Sequence, residues 1–276
     1  MKTDTLKLHL YLVEVHGYTY RVLKLRPSEK VQLSNNYFHE TWHLLAGVGG
    51  AEILSRLLWG MAYQERPGTL LLLDAPHLTP TPFEADAPLP VIIAQAGLAR
   101  LDDDLLRALR RKLSRIKTPT ATVKWNTFSM DDSEELYQQS RPHDQEREGL
   151  WRREQMSRRG GMICYTAPSL ILRLQALSIR HLRKYLYFGS NYTYLAEGNW
   201  RRREHPNGEV QVFGDFEDQV SAAITARSQV LVTPVAKILD EVVRERVWSK
   251  ATRLTKARKT ARKGRVHGEP EAPTTL

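Results

Sequence analysis

A chain of 276 residues with 41% hydrophobic content can bury a full core, so disorder throughout is excluded. Its net charge of +10 points to a polyanionic partner. Apolar runs such as Leu70–Leu73 are far shorter than the ~18 residues of a membrane span. The Met1-Lys2-Thr3-Asp4 start leads into no apolar signal segment, and the single cysteine, Cys164, permits no internal disulfide. A soluble protein of the reducing cytoplasm is expected.

In chain order, Leu6, Leu8, Tyr11 and Val13 before Gly17, and Tyr18, Tyr20, Val22 and Leu25 after it, predict two strands joined at His16-Gly17. Ser34, Asn35 and Asn36 can cap a helix beginning near Tyr37. Gly47, Gly49 and Gly50 separate it from a second helix with the buried stripe Ile53, Leu54, Leu57, Leu58 and Met61. Thr69 to Leu73 is apolar on both sides, as a central strand requires, with Asp74 at its carboxyl end. Five prolines between Ala75 and Pro90 predict a stiff loop leading into the strand Val91 to Ala94.

Asp102, Asp103 and Asp104 suit the first turn of a helix whose last turns carry Arg110, Arg111, Lys112 and Arg115, each sign matched to the helix dipole. Thr120 to Phe128 reads as a strand, and the charged stretch from Met130 to Arg159 as an exposed excursion or boundary. Beyond it come a strand at Met162 to Tyr165 and a helix from Pro168 to Leu182. Tyr185 to Phe188, Tyr192 to Leu195, Asn199 to Glu204 and Glu209 to Phe213 read as an antiparallel ribbon. Two helices close the chain, from about Phe216 and from Thr233-Pro234, with contacts that fade after Trp248 and a tail expected to be disordered from Glu269.

The pattern predicts an α/β or α+β fold, a mixed sheet covered by helices, with a C-terminal β-ribbon and a long basic terminal helix or arm. The expected organisation is an N-terminal region over 1–129, the excursion at 130–160, a second α/β region over 161–248, and the arm and tail at 249–276.

Charge is concentrated in that arm: Lys250, Arg253, Lys256, Arg258, Lys259, Arg262, Lys263 and Arg265 occur without an acidic residue among them. Such a run displaces counterions from a phosphate polymer. Trp200, Arg201, Arg202 and Arg203, near Tyr192 and Tyr194, add cations beside aromatic faces, a pairing that grips phosphates and stacks on unpaired bases. The leading expectation is therefore a nucleic-acid-binding protein, DNA or RNA being open.

Two other chemistries have sequence signals. His39-Glu40-Thr41-Trp42-His43 has the spacing that on a helix sets two zinc ligands on one side, with Glu40 as general base of a zinc hydrolase. The extended zinc pattern fails, because Ala46 and Gly49 stand where glycine and a third histidine belong. Gly47, Gly49 and Gly50 with the distal acid Asp74 imitate a dinucleotide fingerprint, except that Glu52 occupies the third glycine position. The zinc reading requires 37–46 to be helical; the nucleotide reading requires 42–46 to be a strand.

Overall fold

Alternating apolar residues build the first hairpin. Strands β1 (Thr5–Val15) and β2 (Tyr18–Leu25) pair antiparallel around His16 and Gly17, both at positive φ, which matches a tight turn to strand twist. The computed structural model describes residues 5–127, 130, 149–183, 186, 189–196, 207–231 and 240–266. Its fold is mixed α/β, as expected.

A second hairpin replaces the helix expected from Tyr37. Strands β3 (Leu33–Phe38) and β4 (Thr41–Gly47) turn at His39 and Glu40, whose φ values are +47° and +59°. Tyr37, Phe38, Thr41 and Trp42 are aromatic or β-branched residues that favour a pleated surface, and the Tyr37 and Trp42 rings meet across the strands at 4.8 Å. The remaining elements are α1 (Val48–Ala62), β5 (Thr69–Leu73), β6 (Val91–Gln95), α2 (Asp103–Leu113), β7 (Ala121–Asn126), β8 (Gln155–Arg159), β9 (Met162–Ala167), α3 (Ser169–Leu182), β10 (Ser190–Leu195), β11 (Gly208–Phe213), α4 (Phe216–Leu231) and α5 (Asp240–Val266).

Two compact units result, Met1–Thr79 with Pro88–Gly214, and Pro80–Ala87 with Asp215–Leu276. The first holds both sheets: seven strands in the order β7-β1-β2-β5-β6-β9-β8, and four in the order β10-β11-β4-β3. The seven-stranded sheet takes strands from both sides of 130–160, and the end of that stretch forms β8, with Met156 and Glu154 buried. Residues 131–148 lie outside the described residues, as do 199–204 of the expected ribbon, and β11 pairs instead with β10 and, in parallel, with β4.

Helix α1 touches strands of both sheets and packs on α3, so it is buried around much of its circumference. Gly60 makes this possible: a Cβ there would lie 2.2 Å from Cε3 of Trp125. In the second unit, Ala223 and Ala226 of α4 pack with Val247 and Ala251 of α5, and the proline-rich segment contributes Ala85. Asp86 anchors that segment through Arg227 at 2.6 Å and Arg244 at 2.9 Å.

Candidate nucleic-acid interface

The basic arm is one continuous helix. Asp240 and Glu241 stand in the first turn of α5, where carboxylates suit the helix dipole, and 27 residues give it a length of about 40 Å. Its contacts do not fade at Trp248, because Ala251 and Leu254 continue the seam toward α4. Ala, Leu, Lys and Arg are also strong helix formers. The boundary expected between 248 and 249 thus falls inside a regular helix.

Pairing divides the cations into two sets. Arg262 grips Asp218 with both terminal nitrogens, at 2.5 and 3.1 Å, and Lys259 meets Asp215 at 2.7 Å. Arg258 donates to the Asp218 carbonyl at 3.5 Å and the Ser221 hydroxyl at 3.3 Å. Lys250, Arg253 and Lys256, by contrast, have no carboxylate partner among the described residues. Only the backbone is described at Lys263 and Arg265, and Trp200, Arg201, Arg202 and Arg203 lie outside the described residues.

Of the unpaired set, Lys256 borders a groove of about 250 Å³ lined also by Phe83, Trp248, Thr252, Thr255 and Lys259, among others. Trp248 is 55% exposed, an unusual state for a residue able to bury so much apolar area. An exposed indole offers a face on which a base can stack, and the Lys256 ammonium in the same groove can meet a phosphate. In the other unit, the Tyr192 and Tyr194 rings of β10 stand 5.3 Å apart, Tyr192 being exposed.

The zinc motif does not assemble. His39 and Glu40 occupy an exposed turn and His43 is buried in β4, so the helical geometry that aims two imidazoles and a carboxylate at one ion is absent. Among the described residues no group of three or more His, Cys, Asp or Glu could hold a metal. His43 belongs instead to a polar row across the four-stranded sheet, opposite Asn36 on β3 and Glu209 on β11. Its Nδ1 donates to Asn36 Oδ1 at 3.1 Å, and its Nε2 faces Glu209 Oε2 at 3.9 Å. Burial, helped by the nearby His39, drives the His43 pKa down to about 4, and burial raises that of Glu209, so both neutral forms are favoured.

The glycine motif is realised only in part. Strand β4 does run through Gly47 into α1, with Gly49 and Gly50 in the first turn. However, β4 belongs to the four-stranded sheet and β5, which ends before Asp74, to the seven-stranded one, so the two are not neighbouring parallel strands of a dinucleotide fold. Asp74 is held by Lys24 at 2.7 Å, and Glu52 by Arg183 at 2.5 Å and Arg180 at 3.7 Å. These carboxylates are occupied in structural pairs.

No known family matches the chain, and comparisons with curated proteins and with solved structures return no match.

Sequence reasoning missed Trp248 as a surface residue. A tryptophan four residues after Arg244 and two before Lys250, in a stretch poor in other large apolar residues, was its available signal. Among the described residues no helix is long and apolar enough to cross a membrane.

Proposed function

We propose that this protein binds nucleic acid along α5, with Lys250, Arg253 and Lys256 meeting phosphates and Trp248 stacking on an unpaired base. The observation that carries the reading is the exposed indole in a groove it shares with Lys256, a cation with no carboxylate partner among the described residues. A solubilising helix needs charge but no exposed tryptophan. The polymer supplies what the helix lacks: closely spaced anions together with flat aromatic faces. Cytoplasm is the compartment we assign, supported by a lone and buried thiol, Cys164.

Fluorescence anisotropy with labelled single-stranded and duplex oligonucleotides at about 50 mM salt tests this. Saturable binding is expected, and Trp248→Ala should weaken the single strand by about fivefold to a hundredfold, the worth of one base–aromatic stack, with a smaller effect on duplex. Absence of binding to both DNA and RNA overturns the proposal.

A further inference from the structure

A second concentration of positive charge lies in the other unit, where composition alone predicts only a well-formed helix end. Arg107, Arg110 and Arg111 stand at i, i+3 and i+4 and therefore share one side of α2. Asp104 pairs with Arg107 at 2.7 Å. Arg110 and Arg111 have no ion-pair partner among the described residues. Together with His16 and Gly160 these residues line an open cleft of about 520 Å³, a size in the range of small-molecule sites.

Three elements converge to make that cleft. The turn of the first hairpin brings His16, and Lys112 donates to the Glu14 carbonyl, tying the end of α2 to that hairpin. The β8–β9 turn brings Gly160 and Gly161, at φ +54° and +77°. A Cβ on Gly160 would lie 2.6 Å from Leu106 Cβ, and one on Gly161 would lie 3.1 Å from Arg110 Nη1. The turn therefore sits directly on α2, and the Gly160 N–H donates to Asp103 Oδ1 at 2.6 Å. Compensation of the helix dipole explains the sign of these charges but not their gathering in a concavity.

We infer that this cleft is a binding site for a phosphate-bearing ligand, held by Arg110 and Arg111 with support from His16, and independent of α5. Guanidinium forks match phosphate oxygens bidentately, and the imidazole adds a further donor. The phosphate comes either from a free nucleotide or from the end of a polynucleotide.

Isothermal titration of the full chain at low salt distinguishes the sources, with pyrophosphate, a nucleoside triphosphate and an oligonucleotide bearing a 5′-phosphate as probes. The wild type should bind at least one of them saturably. Arg110→Gln/Arg111→Gln should weaken that binding by about tenfold or more, as loss of two charge-assisted contacts implies. Both side chains are exposed, so the variant should fold, which far-UV circular dichroism checks. Trp248→Ala should leave pyrophosphate affinity unchanged, which separates this site from α5. An effect on the small anions assigns a nucleotide; an effect confined to the oligonucleotide assigns a polynucleotide end. Equal affinities of wild type and double variant for all three probes, or no binding of any, overturn the inference.

Discussion

Replacing Lys250, Arg253 and Lys256 by Gln is the sharpest test of the α5 surface, because these cations have no carboxylate partner among the described residues. Glutamine is a good helix former, so α5 should persist. Each phosphate contact contributes about −0.7 to the slope of log K against log salt for a single strand and about −0.9 for duplex. Losing three contacts should make the slope shallower by about 2–3, so a fourfold rise in salt would cost the variant about 20- to 40-fold less affinity than it costs the wild type. The matched control is Arg258→Gln/Lys259→Gln/Arg262→Gln. Those groups lie against Asp215, Asp218 and Ser221, so this control should move the slope less and lower stability by at most about 1 kcal/mol per exposed pair. Anisotropy titrations from about 50 to 200 mM salt measure both slopes. Equal slope changes in the two triple variants would refute the division into free and engaged cations, and an unchanged slope in the first would remove α5 from the interface.

Three further outcomes probe the fold. Gly60→Ala should destabilise the first unit by about 1–3 kcal/mol in denaturant unfolding, since the added methyl falls 2.2 Å from the Trp125 ring and overpacking outweighs the better helix propensity. His43 titrates at about 4 when folded against 6.5 when unfolded, so the unfolded chain binds more protons in that window and stability falls on acidification. Up to about 3 kcal/mol should be lost from pH 7 to 4 on this account, absent in His43→Asn; the raised Glu209 acts in the opposite sense above its unfolded value of 4.5, in both proteins. Unfolding midpoints for the two proteins across that range measure the difference, and parallel curves would count against it. Burial pushes the Cys164 thiol up to about 11, so iodoacetamide at neutral pH should modify it only in denaturant, and rapid labelling of the native protein would contradict its buried position.

Much of the fold could be read from residue patterns where a single period dominates. The leucines of Thr69–Leu73 are apolar on both faces and form a central strand, while Asp102 caps a helix whose far end is basic. The failure at 37–46 has a specific cause. Its turn places His39 and Glu40 at positive φ, positions where Asn and Gly are the usual signals, so nothing in the local sequence marks a reversal. Asn35 and Asn36 resemble a helix cap for the same reason they serve here in a strand: their short polar side chains bond backbone or neighbours. Asn35 accepts from the Leu89 N–H at 3.0 Å and donates to the Leu89 carbonyl at 2.7 Å, a partner far away in sequence. The α2 cleft was equally hidden, because the charges are visible in sequence but the approach of His16 and Gly160 is tertiary.

The order of α5 changes what its charge can do. In a disordered tail all eight cations would be interchangeable, and binding would depend on their number alone. On a helix, Arg253 and Lys256 are one turn apart, about 4.5 Å along the axis, while Asp215 and Asp218 engage Lys259 and Arg262 before any ligand arrives. The helix also holds Trp248 within the same groove as Lys256, so stacking and phosphate contact need no ordering of the backbone at the moment of binding. Under the proposed reading, packing of Val247, Ala251 and Leu254 against α4 therefore reaches beyond stability: it fixes an aromatic surface beside Lys256 in one groove.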